Sequence, residues 1–100
     1  MIWGPSESSF KLLIEVKNYN STVPNIEVEK FHRDVDSTDC NAGLFLSFGQ
    51  KIAMKNRVMI GKTTKNKHVS YLSQLNLLNV DIIINTILLM KHNHFQDIAS

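Results

Sequence analysis

Apolar residues along this chain fall into short dense runs separated by polar stretches, and their spacing predicts a small set of elements. Phe10 to Lys17 reads as a strand. Leu13, Ile14 and Val16 place apolar side chains on both sides of Glu15, the pattern of a strand buried on both faces. Asn18 to Val23 is a polar loop, and Pro24 suits the first turn of a helix running to about Asp36. Within that helix Val28, Phe31 and Val35 recur at i, i+3 and i+7 as its buried stripe, with Glu27, Glu29, Lys30, Arg33 and Asp34 on the wetter faces. Residues 37–41 form a turn, and Gly43 to Phe48 is a second buried strand.

Farther along, Arg57 to Ile60 and Val69 to Leu72 read as short strands around the polar turn Gly61 to Asn66. A second helix spans Leu78 to about His92, with Asp81 near its start and Lys91 near its end, as the helix dipole favours. Val80, Ile83, Ile84, Ile87 and Leu88 form one apolar face, and Ile82, Leu89 and Met90 widen it. A helix apolar most of the way round needs burial on more than one side, which leaves self-association through the 78–92 helix open. Residues 1–9, with Gly4, Pro5 and three serines, read as a lead-in or turn. The order strand, helix, strand, strands, helix predicts one α/β domain over residues 1–100, with a small mixed sheet and two main helices. Its first helix would be the crossover that lets the Glu15 and Leu44 strands run parallel.

Composition narrows the class. A 43% hydrophobic and 8% aromatic content belongs to a folded chain. The single cysteine, Cys40, excludes an internal disulfide framework and fits a reducing, intracellular setting, cytoplasmic or nuclear. Ile82 to Met90 is the most apolar run and falls well short of the ~20 residues that cross a bilayer, so a soluble protein with no membrane partner is expected. Net charge is only +2, but its distribution is uneven. No acid occurs between Asn41 and Val80, where Lys51, Lys55, Arg57, Lys62, Lys65 and Lys67 all fall. Such a segment is either a phosphate-contacting surface or a lysine-rich hairpin that keeps the chain soluble.

The chemistry centres on Glu15 and Lys17. At i and i+2 of a strand they share one face, and a carboxylate and an ammonium there are costly to desolvate unless they pair or hold an ion. An ordinary strand-end ion pair is the plain alternative. His92 and His94 read as surface histidines on a fraying helix end, and Cys40 as inert.

Ile14-Glu15-Val16-Lys17-Asn18-Tyr19 resembles the Glu-x-Lys half of the PD-(D/E)XK nuclease signature. The preceding apolar run, the following helix, and the strand Ala42-Gly43-Leu44-Phe45-Leu46-Ser47 extend the resemblance over roughly residues 10–53. More narrowly, the chain looks like nuclease-fold proteins of large DNA viruses. The resemblance implies a truncated restriction-endonuclease-like core, lacking the usual earlier helix and strand. It also implies Mg²⁺ (or Mn²⁺) held by Glu15 and the Val16 carbonyl, Lys17 assisting the attacking water, and DNA contacts from Asn18, Lys51, Lys55, Arg57 and Lys62. The family's aspartate on the preceding strand has no counterpart. The position facing Glu15 is expected near Ile2, and residues 1–5 hold no carboxylate. Glu7, at the turn, would lie ~10 Å away. The aspartate then lies upstream, has been lost, or is replaced from elsewhere. A metal-dependent DNA endonuclease-like domain, weakened or inactive, is the leading expectation. The alternative is an inactive nucleic-acid-binding or oligomerisation module.

Overall fold

A computed structural model describes residues 1–4 and 10–99, with side chains as far as Gln96. The expected turn at residues 8–9 and the position of Glu7 lie outside the described residues. The elements are β1 (Ile2–Trp3), β2 (Leu12–Lys17), α1 (Asn25–Ser37), β3 (Ala42–Phe48), β4 (Val58–Lys62), β5 (His68–Leu75) and α2 (Val80–Ala99), the last entered through a 3₁₀ turn at Leu77–Asn79. They form a five-stranded mixed sheet in the order β1-β2-β3-β5-β4. β2, β3 and β5 run parallel, flanked by antiparallel β1 and β4. This is the small α/β fold expected, with α1 as the connection between the parallel β2 and β3.

Each helix covers one face of the sheet. Val28, Phe31 and Val35 of α1, the stripe anticipated from its period, pack with Phe45, Val69 and Tyr71. The helix comes close because Gly43 has no side chain: a Cβ there would stand 2.6 Å from both Phe31 and Val35. On the opposite face Leu12, Ile14, Leu44, Leu46 and Leu72 form a second cluster, against which Ile83, Ile87 and Met90 of α2 pack. The central strand β3 is buried along its first six residues, five of them apolar and the sixth Ser47, whose hydroxyl donates to the Gln50 carbonyl. β2 is buried only as far as Ile14. Val16 is 54% exposed, so the expectation of a strand covered on both faces fails at this end.

Three further boundaries differ from expectation. The register pairs Ile2 with Leu13, not with Glu15, because β1 meets β2 two residues nearer its start. The Met1 amino group donates to the Ile14 carbonyl (2.9 Å) and the Ile14 N–H to the Met1 carbonyl (2.7 Å), which continues that register. The β4–β5 hairpin is longer than anticipated, with its turn tightened to residues 63–67 by Asn66 at φ 66°. A short polar side chain tolerates that left-handed conformation. α2 starts after a capping box, in which Asn76 accepts from the Leu78 N–H and Asn79 accepts from the Asn76 N–H. It continues past His92 to Ala99 because no Gly or Pro interrupts residues 92–99. Lys91 is therefore mid-helix, not at its end.

Candidate functional site

Glu15 and Lys17 emerge together on the α1 face, at the C-terminal end of the parallel strands. In open α/β sheets this is the end where ligands bind. Their side chains are 33% and 14% exposed, and Lys17 Nζ lies 3.2 Å from Glu15 Oε1. A second carboxylate, not anticipated from sequence, completes the cluster. Glu27 of α1 reaches Lys17 Nζ at 3.0 Å. It gets there because the β2–α1 loop is short and returns the helix N-terminus over the strand it left. Glu27 sits in the first turn of α1, where the helix dipole favours an acid. Tyr19 closes the site, its ring centroid 5.8 Å from Lys17 Nζ.

The electrostatics follow from this arrangement. Burial opposes the charge on Lys17, but hydrogen bonds to Glu27 and Glu15 outweigh it and hold its pKa above the ordinary lysine value. The Lys17 hydrogen bond, aided by one from the Tyr19 hydroxyl, holds the Glu27 carboxyl below the usual carboxylate range. Both carboxylates thus share one ammonium. A Mg²⁺ or Mn²⁺ ion at Glu15 and the Val16 carbonyl would have to displace Lys17 first. As arranged, Lys17 and not an ion stands between the two carboxylates, and the cluster keeps one net negative charge.

The expected nucleic-acid contacts divide between the two ends of the sheet. Asn18 is exposed just after β2. Lys51, Lys55 and Arg57 lie in the β3–β4 connection on the same rim. That connection is pinned: the Val23 N–H donates to the Lys51 carbonyl (2.8 Å), and the Ala53 N–H donates to the Val23 carbonyl (2.9 Å). The Ser73 N–H donates to the Arg57 carbonyl (2.9 Å), and Ser47 Oγ donates to the Gln50 carbonyl (2.8 Å). Lys51 and Arg57 are exposed, whereas Lys55 is half-buried with Nζ 5.1 Å from the Tyr71 ring centroid. None of the three is in an ion pair among the described residues.

Lys62 does not join them. It pairs with His68, which pairs with Ala42, opposite Leu12 of β2. Lys17 lies five residues farther along that strand, roughly 16 Å away. Lys65 and Lys67 serve α1 instead. Lys67 Nζ donates to the Val35 and Thr38 carbonyls at 2.9 and 3.0 Å, satisfying the helix C-terminus, and the Lys65 N–H donates to Asp36 (3.2 Å). Two lysines of the acid-free segment are thus structural.

A second polar group beside the rim was invisible in sequence. His32 of α1 hydrogen-bonds the Tyr71 hydroxyl across the α1–sheet interface. Burial raises the Tyr71 pKa to about 12. Burial, then repulsion from Lys55, lowers that of His32, against a smaller opposing pull from Asp36. At the other end, a cavity of about 270 Å³ between α2 and the sheet is lined by Phe10, Ala42, His68, Ser70, Met90 and His94. His94 is not the surface histidine expected. Its ring packs 5.1 Å from that of Phe10, and its Nε2 is buried without a hydrogen-bond partner among the described residues. Cys40 is a buried free thiol. Among the described residues no helix is long and apolar enough to cross a membrane. Compared with family models, curated proteins and solved structures, the chain matches none.

Proposed function

We propose that this chain is a nuclease-like α/β domain that holds nucleic-acid phosphates at the C-terminal rim of its sheet without cutting them. One observation carries the reading: Lys51, Lys55 and Arg57 share that rim with no acid paired to them among the described residues, while Glu15 and Glu27 at the same end are both taken by Lys17. The unpaired cations are available to phosphate oxygens. The connection that carries them is fixed to the β2–α1 loop and to β5 by backbone hydrogen bonds, so little ordering cost attends binding. The placement of Glu-x-Lys on β2, α1 as crossover and β3 as parallel neighbour supports the nuclease-like assignment. The ammonium held between two carboxylates supports a scaffold without cleavage. Asn18, on the adjoining loop, is positioned to hydrogen-bond a phosphate or sugar. Self-association through α2, the other role open to an inactive scaffold, would use a different face and does not compete.

Fluorescence anisotropy with a labelled duplex, repeated across salt concentrations, tests this reading. Three phosphate contacts give a slope of log K against log[salt] of about −2.7, and removing one contact lowers its magnitude by about 0.9. Lys51→Ala and Arg57→Ala are expected to do so, while Lys62→Ala, at the far end of β4, leaves affinity within about twofold. Equal losses from Lys62→Ala and Lys51→Ala, or no binding at low salt, would overturn it.

A further inference from the structure

The exposed side of α2 carries a sequence that is its own complement. Ile83, Ile87 and Met90 hold the helix to the sheet. About a third of a turn round from them runs a second stripe, Asp81, Ile84, Leu88, Lys91 and Phe95, spaced three, four, three and four residues apart, with Leu77 of the 3₁₀ turn ahead of it. That alternation is the spacing of a coiled-coil seam. Its apolar members stand out from the surface, with Leu77 86%, Ile84 49%, Leu88 56% and Phe95 39% exposed. The stripe is also palindromic about Thr86. Leu77 mirrors Phe95, Asp81 mirrors Lys91, and Ile84 mirrors Leu88.

We propose that two copies of this chain pair through α2, antiparallel, about a twofold axis at the level of Thr86. In that register each Asp81 meets the Lys91 of the partner subunit, each Ile84 the partner's Leu88, and each Leu77 the partner's Phe95. One twofold operation makes each contact twice. A parallel pairing would set Asp81 against the partner's Asp81 and Lys91 against the partner's Lys91, so charge selects the antiparallel form. Within the chain neither Asp81 nor Lys91 is in an ion pair among the described residues, so both are available across the interface. The aligned helices also oppose their dipoles head to tail.

The stripe from Asp81 to Phe95 is ~21 Å long, about four helical turns of contact.

Sedimentation equilibrium on the full chain tests the pairing and its register together. The wild type is expected at twice the 11.4 kDa chain mass at micromolar concentration. Asp81→Lys and Lys91→Glu each set like charges against each other at two symmetric places and weaken the dimer at least about tenfold. The double variant D81K/K91E restores opposite charges and returns the dissociation constant to within about threefold of wild type. Leu88→Glu leaves both native charges in place and is expected to dissociate the dimer, with its far-ultraviolet circular dichroism unchanged because the position is exposed. A monomeric wild type at 100 µM overturns the proposal. Single variants that dimerise as tightly as wild type overturn it too, as does a folded double variant that stays monomeric.

Discussion

Gly43→Ala is the sharpest probe of how the fold positions the site. Gly43 lies on β3 beneath α1, and a Cβ there would stand 2.6 Å from Phe31 Cζ and 2.6 Å from Val35 Cγ2. Both partners are buried in the core, at 1% and 0% exposure, with no solvent side into which to swing. The added methyl therefore strains the side chains or lifts α1 from the sheet, at a cost of about 1–3 kcal/mol. For a domain of this size each kcal/mol lowers the melting temperature by about 4–8 °C, so a fall of roughly 5–20 °C is expected. Gly61→Ala is the internal control. Its nearest approach would be 3.6 Å, to Tyr71, an ordinary contact, and Ala is preferred to Gly in a strand interior, so its melting temperature should hold or rise slightly. Thermal unfolding followed by circular dichroism reads both. Because α1 carries Glu27, lifting the helix also loosens the Lys17 cluster, visible as weaker protection of the Lys17 ammonium protons from exchange in Gly43→Ala. A Gly43→Ala protein that melts within 1 °C of wild type would refute the close-approach argument.

Three other outcomes follow from the site and its surroundings. His32 has its pKa lowered by burial and by Lys55, so the folded state binds a proton less readily than the unfolded chain. Its contribution is complete above the unfolded value of about 6.5 and fades as the pH falls through it, so urea midpoints should drop between pH 7.5 and 5.5 and drop less in His32→Gln. Identical pH slopes for the two proteins would contradict this. Lys67→Met removes two charge-assisted hydrogen bonds from the last carbonyls of α1 and should cost about 1 kcal/mol in chemical denaturation, while the equally basic Lys62→Met costs nothing measurable. Lys17→Ala leaves Glu15 and Glu27 facing each other without their cation. Mn²⁺ titration should then reveal binding at roughly 10⁻⁴–10⁻³ M that the wild type lacks, and equal binding by both proteins would show that Lys17 does not hold the carboxylates closed.

Much of the fold was legible because burial repeats at the periods of helix and strand. Val28, Phe31 and Val35 announced the inner face of α1, and the mostly apolar run from Gly43 to Phe48 announced a buried strand. Glu15 and Lys17 were placed together by the two-residue period of a strand alone. What sequence could not give is what neighbouring elements bring. Glu27 reads as one surface acid among several, and only the return of α1 over β2 carries it to Lys17. The same holds for His32 and Tyr71, 39 residues apart and joined across the α1–sheet interface. The basic segment is divided for a related reason. Like charge in sequence is not proximity in space, since β4 carries Lys62 away from the rim and Lys67 turns inward to cap α1. The length of α2 was underestimated because polar residues after Met90 lower hydropathy without breaking a helix.

The proposed function has the rim bind phosphates while the neighbouring carboxylates do no chemistry. Its most direct test is a single incubation of the wild-type chain with a labelled duplex and Mn²⁺ in low salt, read for both anisotropy and strand length. A bound and uncut duplex is the predicted result. Strand cleavage that disappears in Glu15→Ala, or a duplex that stays free, would contradict it.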